Sequence, residues 1–263
     1  MHTKSSLALA LASALAAPVA TAAEQSAHSL SGNVGLYSQY IFRGLAQTDG
    51  DPALQGGFDY SHASGFYLGT WASNISWLRD FGSYSSGGSM EWDFYGGYKG
   101  SFGKSDLGFD IGLLQYYYPG NTAAGVTKAD TLELYGALSW KWLSAKYSHS
   151  LDNKTFGVSD SRGTWYLDLS ASFPITDQLS IDAHWGKQKF KGTSGGVSND
   201  SQASYEDWKL GVSYALPKDF SIGAYYTDTS MTAAQEGFYT TPAGAGSRFL
   251  GRDAFVVYLK KSF

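Results

Sequence analysis

The stretch Thr164-Trp165-Tyr166-Leu167-Asp168-Leu169-Ser170-Ala171-Ser172-Phe173-Pro174-Ile175-Thr176-Asp177-Gln178-Leu179-Ser180-Ile181-Asp182-Ala183-His184-Trp185 decides the fold. Trp165, Leu167, Leu169 and Phe173 share one parity, and Thr164, Asp168, Ser170 and Ser172 share the other. Pro174–Gln178 then reads as a short turn, because proline fixes φ and aspartate bonds its own backbone. The alternation resumes beyond it, with Leu179, Ile181 and Trp185 against Ser180, Asp182 and His184. Period two is the mark of a strand whose side chains leave on opposite faces. Two such runs about a tight turn make an antiparallel hairpin with one apolar and one polar face.

The same pattern extends over most of the chain. Leu30, Val34, Leu36, Tyr40 and Phe42 alternate with Ser31, Asn33, Tyr37, Gln39 and Arg43. Leu54, Phe58 and Tyr60 alternate with Gln55, Asp59 and Ser61, and Trp92, Phe94 and Tyr98 with Glu91, Asp93 and Lys99. Leu107 to Leu113, Leu132 to Trp140, Trp208 to Tyr214 and Phe220 to Ala224 repeat it. Short turn signals lie at 61–65, 100–105, 141–142, 174–178 and 215–219. Long polar stretches lie between them, at 44–52, 74–89, 119–129, 151–161, 187–203 and 228–251. One hairpin plus one long loop therefore recurs every 39 residues or roughly so, which makes about twelve strands.

Short turns at one end and long loops at the other are the layout of an antiparallel transmembrane β-barrel, with the turns periplasmic and the loops extracellular. Composition agrees. The 263 residues include 32 Gly, 15 Phe, 19 Tyr, 8 Trp and no Cys, and only 16% are charged. Beyond the N-terminal segment no apolar run approaches the roughly 20 residues that a membrane helix needs. Absent cysteine excludes disulfides, thiolate metal sites and a cysteine nucleophile. A β-sandwich would not show the asymmetry between turns and loops. A solenoid of this period would need helical segments or a repeated apolar stack. Aromatic residues at strand ends are expected as interface girdles. Tyr60, Phe66, Tyr98, Trp140, Trp142, Phe173, Tyr214 and Phe220 fall at the turn end, and Tyr40, Phe42, Trp92 and Trp208 at the loop end.

Residues 1–22 read as a cleaved signal peptide: Lys4, an apolar stretch from Leu7 to Ala17, then small residues at Ala20-Thr21-Ala22. The barrel is assigned to 23–263. The implied address is the outer membrane of a Gram-negative bacterium. The formal net charge of −4 shows no basic excess, so no nucleic-acid partner is expected. The chain ends in a strand with Phe255, Val257, Leu259 and Phe263 on one face. That terminal strand resembles the signal read by the outer-membrane assembly machinery. Lys261 departs from its pattern, and near an interface it can snorkel.

The block Ser38-Gln39-Tyr40-Ile41-Phe42-Arg43-Gly44 is followed by Asp51-Pro52-Ala53-Leu54-Gln55-Gly56-Gly57-Phe58-Asp59-Tyr60 and Gly65 to Asn74. With the closing Val256 to Phe263, it resembles the TorF-family porins, a bacterial outer-membrane β-barrel family formerly of unknown function. The resemblance implies an outer-membrane barrel of porin type. It carries over no catalytic residue and no solute.

The polar parity supplies the candidate lumen: Arg43, Asp59, Glu91, Asp93, Lys99, Asp110, Glu133, Lys146, Asp168, Asp182, His184, Asp207 and Lys209. Acids outnumber bases there, which suggests a mild cation preference. An inner ion-pair network that closes the barrel is the alternative, since twelve strands lie between filled and open barrels. Arg43 is expected to pair with Asp59 or Asp93. The loop at 228–251 is expected to fold inward as a gate. His184 reads as a solvated lumen histidine. Ser180, Asp182 and His184 lie about 7 Å apart per step along one strand face, too far for a triad. No metal ligand set, catalytic group or cofactor site is expected. A lipid enzyme ranks last among the functions, behind a diffusion channel for small polar solutes or ions and a closed binding barrel. Membrane lipids are the expected surroundings.

Overall fold

The computed structural model describes residues 26–263, so the signal-peptide assignment to 1–22 lies outside the described residues. Twelve strands form a closed barrel. They are β1 (His28–Tyr37), β2 (Ala53–His62), β3 (Phe66–Asn74), β4 (Met90–Ser101), β5 (Leu107–Tyr117) and β6 (Thr131–Trp140). The second half is β7 (Leu143–Ser150), β8 (Trp165–Pro174), β9 (Leu179–Lys189), β10 (Tyr205–Leu216), β11 (Phe220–Ser230) and β12 (Ala254–Ser262). Each pairs antiparallel with its neighbours in sequence, and β1 closes on β12 through Asn33↔Ser262 to Tyr37↔Tyr258. Phe263 N–H donates to the Gly32 carbonyl at 2.9 Å, which ties the two ends of the chain together. Closure leaves no open edge, so the strand backbone is satisfied within the sheet.

The connections fall where the alternation breaks. Residues 63–65, 102–106, 141–142, 175–178 and 217–219 make the turn end. Residues 38–52, 75–89, 118–130, 151–164, 190–204 and 231–253 make the loop end. The outer face is apolar, and Leu30, Leu36, Phe58, Leu68, Ile111, Leu138, Leu210, Phe255, Val257 and Leu259 all stand exposed on it. The expected turn-end girdle is present in Phe66, Tyr98, Trp140, Trp142, Phe173, Tyr214 and Phe220. Phe263 is exposed on the same outer face. Lys261 reaches Asp219 at 3.5 Å and lies over the rings of Phe220 and Phe263.

Two members of the expected loop-end girdle are elsewhere. Strand β1 stops at Tyr37, so parity no longer governs Tyr40 and Phe42, and both turn into the barrel mouth. There Tyr40 packs with Ile75, Leu78, Tyr84, Tyr116 and Tyr118 in an apolar cluster. A second cluster joins Phe190, Ala203, Tyr205 and Tyr239. The buried core is thus gathered at the loop end, where the loops fold over and into the barrel.

Tyrosines divide between the faces. Tyr67, Tyr116, Tyr135, Tyr166 and Tyr205 point inward and are buried. Inward glycines on neighbouring strands make room for them. A Cβ on Gly112 would meet the Tyr135 hydroxyl oxygen at 2.6 Å, and one on Gly186 would overlap the Tyr166 hydroxyl. A tyrosine lying across a glycine stiffens the wall and narrows the lumen at once.

Candidate functional site

The first loop carries a small hairpin into the lumen. Ile41–Phe42 pairs with Leu45–Ala46, and Arg43 and Gly44 form its tip at φ 48° and 78°. Positive φ at both central residues is the type I′ turn that suits a two-residue hairpin. Glycine fits that geometry, whereas arginine there costs about 1 kcal/mol of backbone strain. Gly44 is pressed against the wall at β10 and β11, for a Cβ would lie 2.6 Å from Asp207 Cβ and 2.7 Å from Thr229 Cγ2. From there the Arg43 side chain reaches Glu133 on β6, nearly half-way round the barrel from β1. Its base is tied to other loops: Ala46 N–H donates to the Leu250 carbonyl, and Ser76 N–H to the Gln47 carbonyl, each at 2.8 Å.

At the tip the guanidinium of Arg43 is caged. It donates both ways to Glu133, Nη1 to Oε1 at 3.0 Å and Nη2 to Oε2 at 2.8 Å. It also donates to Gln188 Oε1 at 2.9 Å and to the Tyr116 hydroxyl at 3.3 Å. The rings of Tyr166 and Phe42 face it at 4.3 and 4.8 Å. Burial works against its charge, but Glu133 more than offsets this and raises the guanidinium above its ordinary value. The expected partners Asp59 and Asp93 are not the ones used. The strand ends six residues before Arg43, and the hairpin carries the side chain to β6 on another part of the wall.

The candidate lumen residues occupy two levels. At the loop-end level Glu91, Asp93, Glu133 and Asp207 are 0%, 5%, 2% and 2% exposed. These four carboxylates are shut away from water, which makes this the sealed level of the two. Tyr40 donates to Glu91 Oε1 at 2.8 Å, while Glu91 Oε2 and Asp93 Oδ1 are buried without a hydrogen-bond partner. Arg43 is the cation caged at this level. Toward the turn end Asp59, Asp110, Asp168 and Asp182 are half-buried, as are Lys99, Lys146 and Lys209. These form a wetter vestibule. Tyr95 donates to Asp59 at 2.7 Å, Tyr67 to Asp110 at 2.6 Å and Ser172 to Asp182 at 2.6 Å. Lys146 lies over the Tyr135 ring at 4.0 Å, with Lys99 over Tyr67 and Lys209 over Tyr225.

His184 stands between the levels and is not the solvated residue expected. Its side chain is 11% exposed, with Nε2 2.9 Å from Asp207 Oδ1 and Nδ1 3.3 Å from Asp168 Oδ1. The Tyr166 hydroxyl lies 3.0 Å from Nε2, and Ser170 Oγ lies 3.2 Å from Nδ1. These partners come from the flanking strands β8 and β10, and Asp182 on its own strand bonds Ser172 instead. The loop that enters the barrel is the first one. The loop expected at 228–251 as the gate is found at 231–253 and lies over the mouth: Tyr239 donates to the Ala203 carbonyl at 2.6 Å and Arg248 holds Asp49 at 2.9 Å.

Three features escaped the sequence. Lys260 lies on the inward parity of β12 beside outward Leu259 and faces the vestibule half-buried. Gln188 follows His184 by four residues on the same face, a position parity could have marked. The inward tyrosines Tyr116, Tyr135 and Tyr166 share parity with Asp110, Glu133 and Asp168 on their own strands, a clear signal once tyrosine is not counted as an interface residue.

The sequence matches, over residues 21–263, the family described as bacterial protein of unknown function (Gcw_chp), and the chain belongs to that family. No curated protein matches it. Among solved structures the barrel is similar to the KdgM porin, with 10% identity and a TM-score of 0.52 over 89% of this chain and 99% of that one. It is similar also to the COG4313 outer membrane channel from Pseudomonas putida F1, with 10% identity and a TM-score of 0.50 over 94% and 100% of the two chains. The NanC porin gives 10% identity and 0.50 over 88% and 98%. At such identity the likeness is one of fold.

Proposed function

We propose that this member of the Gcw_chp family is an outer-membrane channel for passive diffusion of small polar solutes or ions, closed at rest by the Arg43 hairpin. The observation that carries this reading is the contrast between the sealed level and the half-exposed vestibule in a barrel whose outside is apolar. Apolar surface of that extent is unstable in water and suits a bilayer. Every buried charge costs solvation, so the half-exposed acids and lysines of the vestibule suit a lumen that water enters. The likeness of fold to proteins named as porins and outer membrane channels supports the same reading. So does the resemblance of Ser38–Gly44 to the TorF-family porins.

Cation preference follows from where the acids lie. In the vestibule Asp59, Asp110, Asp168 and Asp182 are matched by Lys99, Lys146, Lys209 and Lys260. The excess is at the sealed level, where Glu133 holds Arg43, Asp207 lies against His184, and Glu91 and Asp93 have no basic partner. Once the hairpin moves aside, the narrowest ring is acidic and favours cations. One neighbour of similar fold is described in complex with disordered oligogalacturonate, an acidic oligosaccharide. An acidic solute would be repelled by the ring in this chain. On this reading residues 1–22 direct export, membrane lipids surround the outer face, and Phe255, Val257, Leu259 and Phe263 present the strand read by the assembly machinery.

Planar-bilayer conductance tests the proposal on the refolded wild type and on Arg43→Asn, since asparagine tolerates positive φ. The wild type is expected to open rarely and Arg43→Asn to conduct steadily with preference for K⁺ over Cl⁻. A tight seal in both at all voltages would remove the channel and leave a closed barrel, a reading that the sealed level itself favours.

A further inference from the structure

We infer that the sealed level is a guanidinium-binding site, filled at rest by the chain's own Arg43, and that solutes bearing a guanidinium group are its exogenous ligands. The route by which such a solute arrives rests on the channel reading; the binding chemistry does not.

Three observations converge. The cage has the shape of its occupant. Glu133 offers both carboxylate oxygens to two nitrogens, Gln188 adds a third acceptor, and the Tyr166 ring faces the planar cation. A fork of two parallel bonds and a stacking face select a guanidinium over an ammonium, whose charge is compact and whose donors are not coplanar. Second, buried carboxyl oxygens are left over once Arg43 is satisfied. Glu91 Oε2 and Asp93 Oδ1 are buried with no partner, and Asp93 pairs in register with Tyr116, which touches the cage. Buried polar atoms without partners in an otherwise well-bonded interior call for an explanation. Glu133 alone pins Arg43 and Asp207 is held by His184 and Tyr166, so the free oxygens of Glu91 and Asp93 are left over beside the cage. Third, apart from the Phe42 ring the cage does not depend on the hairpin. Glu133, Gln188 and Tyr166 stand on barrel strands, while the occupant hangs from a loop at a strained backbone position. Withdrawal of the tip relieves that strain and leaves the cage assembled. An arriving guanidinium takes the place of Arg43 and holds the hairpin out, so the ligand itself opens the lumen.

The test uses the refolded barrel in detergent, with N-ethylguanidinium and ethylammonium at equal millimolar concentration and equal ionic strength. In Arg43→Asn the cage is empty, and N-ethylguanidinium should raise the unfolding midpoint with an apparent affinity about tenfold or more above that of ethylammonium. The wild type, whose Arg43 must first be displaced, should respond to N-ethylguanidinium only at about tenfold or more higher concentration and to ethylammonium not at all. Adding Glu133→Gln to Arg43→Asn should abolish the difference. Equal responses to the two cations, or the same response in wild type and variant, would overturn the site. If Arg43→Asn does not refold, Arg43→Gly suits the positive φ, also empties the cage and carries the same comparison. Single-channel records separate this inference from the one it rests on. Steady conductance in KCl without interruption by N-ethylguanidinium would sink the site and spare the channel. Selective stabilisation in a barrel that never conducts would sink the channel and spare the site.

Discussion

The two ends of the lumen are made by the same strands and from the same residue types, yet they behave as different materials. At the loop end Glu91, Asp93, Glu133 and Asp207 are shut away from water around a single guanidinium. At the turn end Asp59, Asp110, Asp168 and Asp182 are half-buried beside four lysines. The difference comes from one hairpin. Without Ile41–Ala46 laid across the barrel, nothing in the strand pattern distinguishes Glu133 from Asp182. A carboxylate's worth in such a barrel is therefore set by what covers it more than by its place in the alternation.

The sharpest way to break the contrast is to make the same chemical change at both levels. Glu133→Gln leaves Arg43 buried without its counter-charge, and such a loss costs about 3 kcal/mol. Asp182→Asn keeps an acceptor for Ser172 in a half-exposed place, and the loss should stay below about 1 kcal/mol. Urea unfolding of the two refolded variants in the same detergent gives the comparison. Equal midpoints would show that the loop end is not sealed. Glycines offer a second pair with a smaller expected gap. Gly44→Ala forces a side chain at positive φ into Asp207 and Thr229, at a cost of about 2 kcal/mol, and it should raise conductance by lifting the tip. Gly108→Ala at the turn end meets only the rotatable Ser139 hydroxyl and should cost under about 1 kcal/mol with no change in current.

How far this was legible in the sequence follows the same divide. The runs around Pro174–Gln178, and the other four short turns, place all twelve strands because alternation reports directly on two different surroundings. Inward orientation of Asp93, Asp182 and Asp207 follows from it too. The loop end resists such reading. Parity carried past Tyr37 assigns Tyr40 and Phe42 to the outside, but the strand has stopped there and packing against Ile75, Leu78 and Tyr116 decides instead. The partner of Arg43 lies 90 residues away, and only the three-dimensional reach of the hairpin selects Glu133 over Asp59. His184 was legible as inward. Its two aspartates come from flanking strands, and strand register is not visible in one sequence. Tyrosine misleads because its ring suits an interface and its hydroxyl suits a lumen.

The finest test of the contrast is ion selectivity, read as a reversal potential in a KCl gradient on the conducting Arg43→Asn barrel. If charge counted evenly along the lumen, Asp93→Asn and Asp182→Asn would lower the cation preference alike. The two levels argue otherwise. Asp93 belongs to the narrow ring where acids are in excess and water is scarce, so its field is poorly screened. Asp182 sits half-exposed in a vestibule whose four acids are balanced by Lys99, Lys146, Lys209 and Lys260. Asp93→Asn should therefore lower the cation-to-anion permeability ratio roughly twofold, and Asp182→Asn by a margin near the error of the measurement. A larger effect at Asp182 would place the selective constriction in the vestibule and remove the Arg43 level from the ion path.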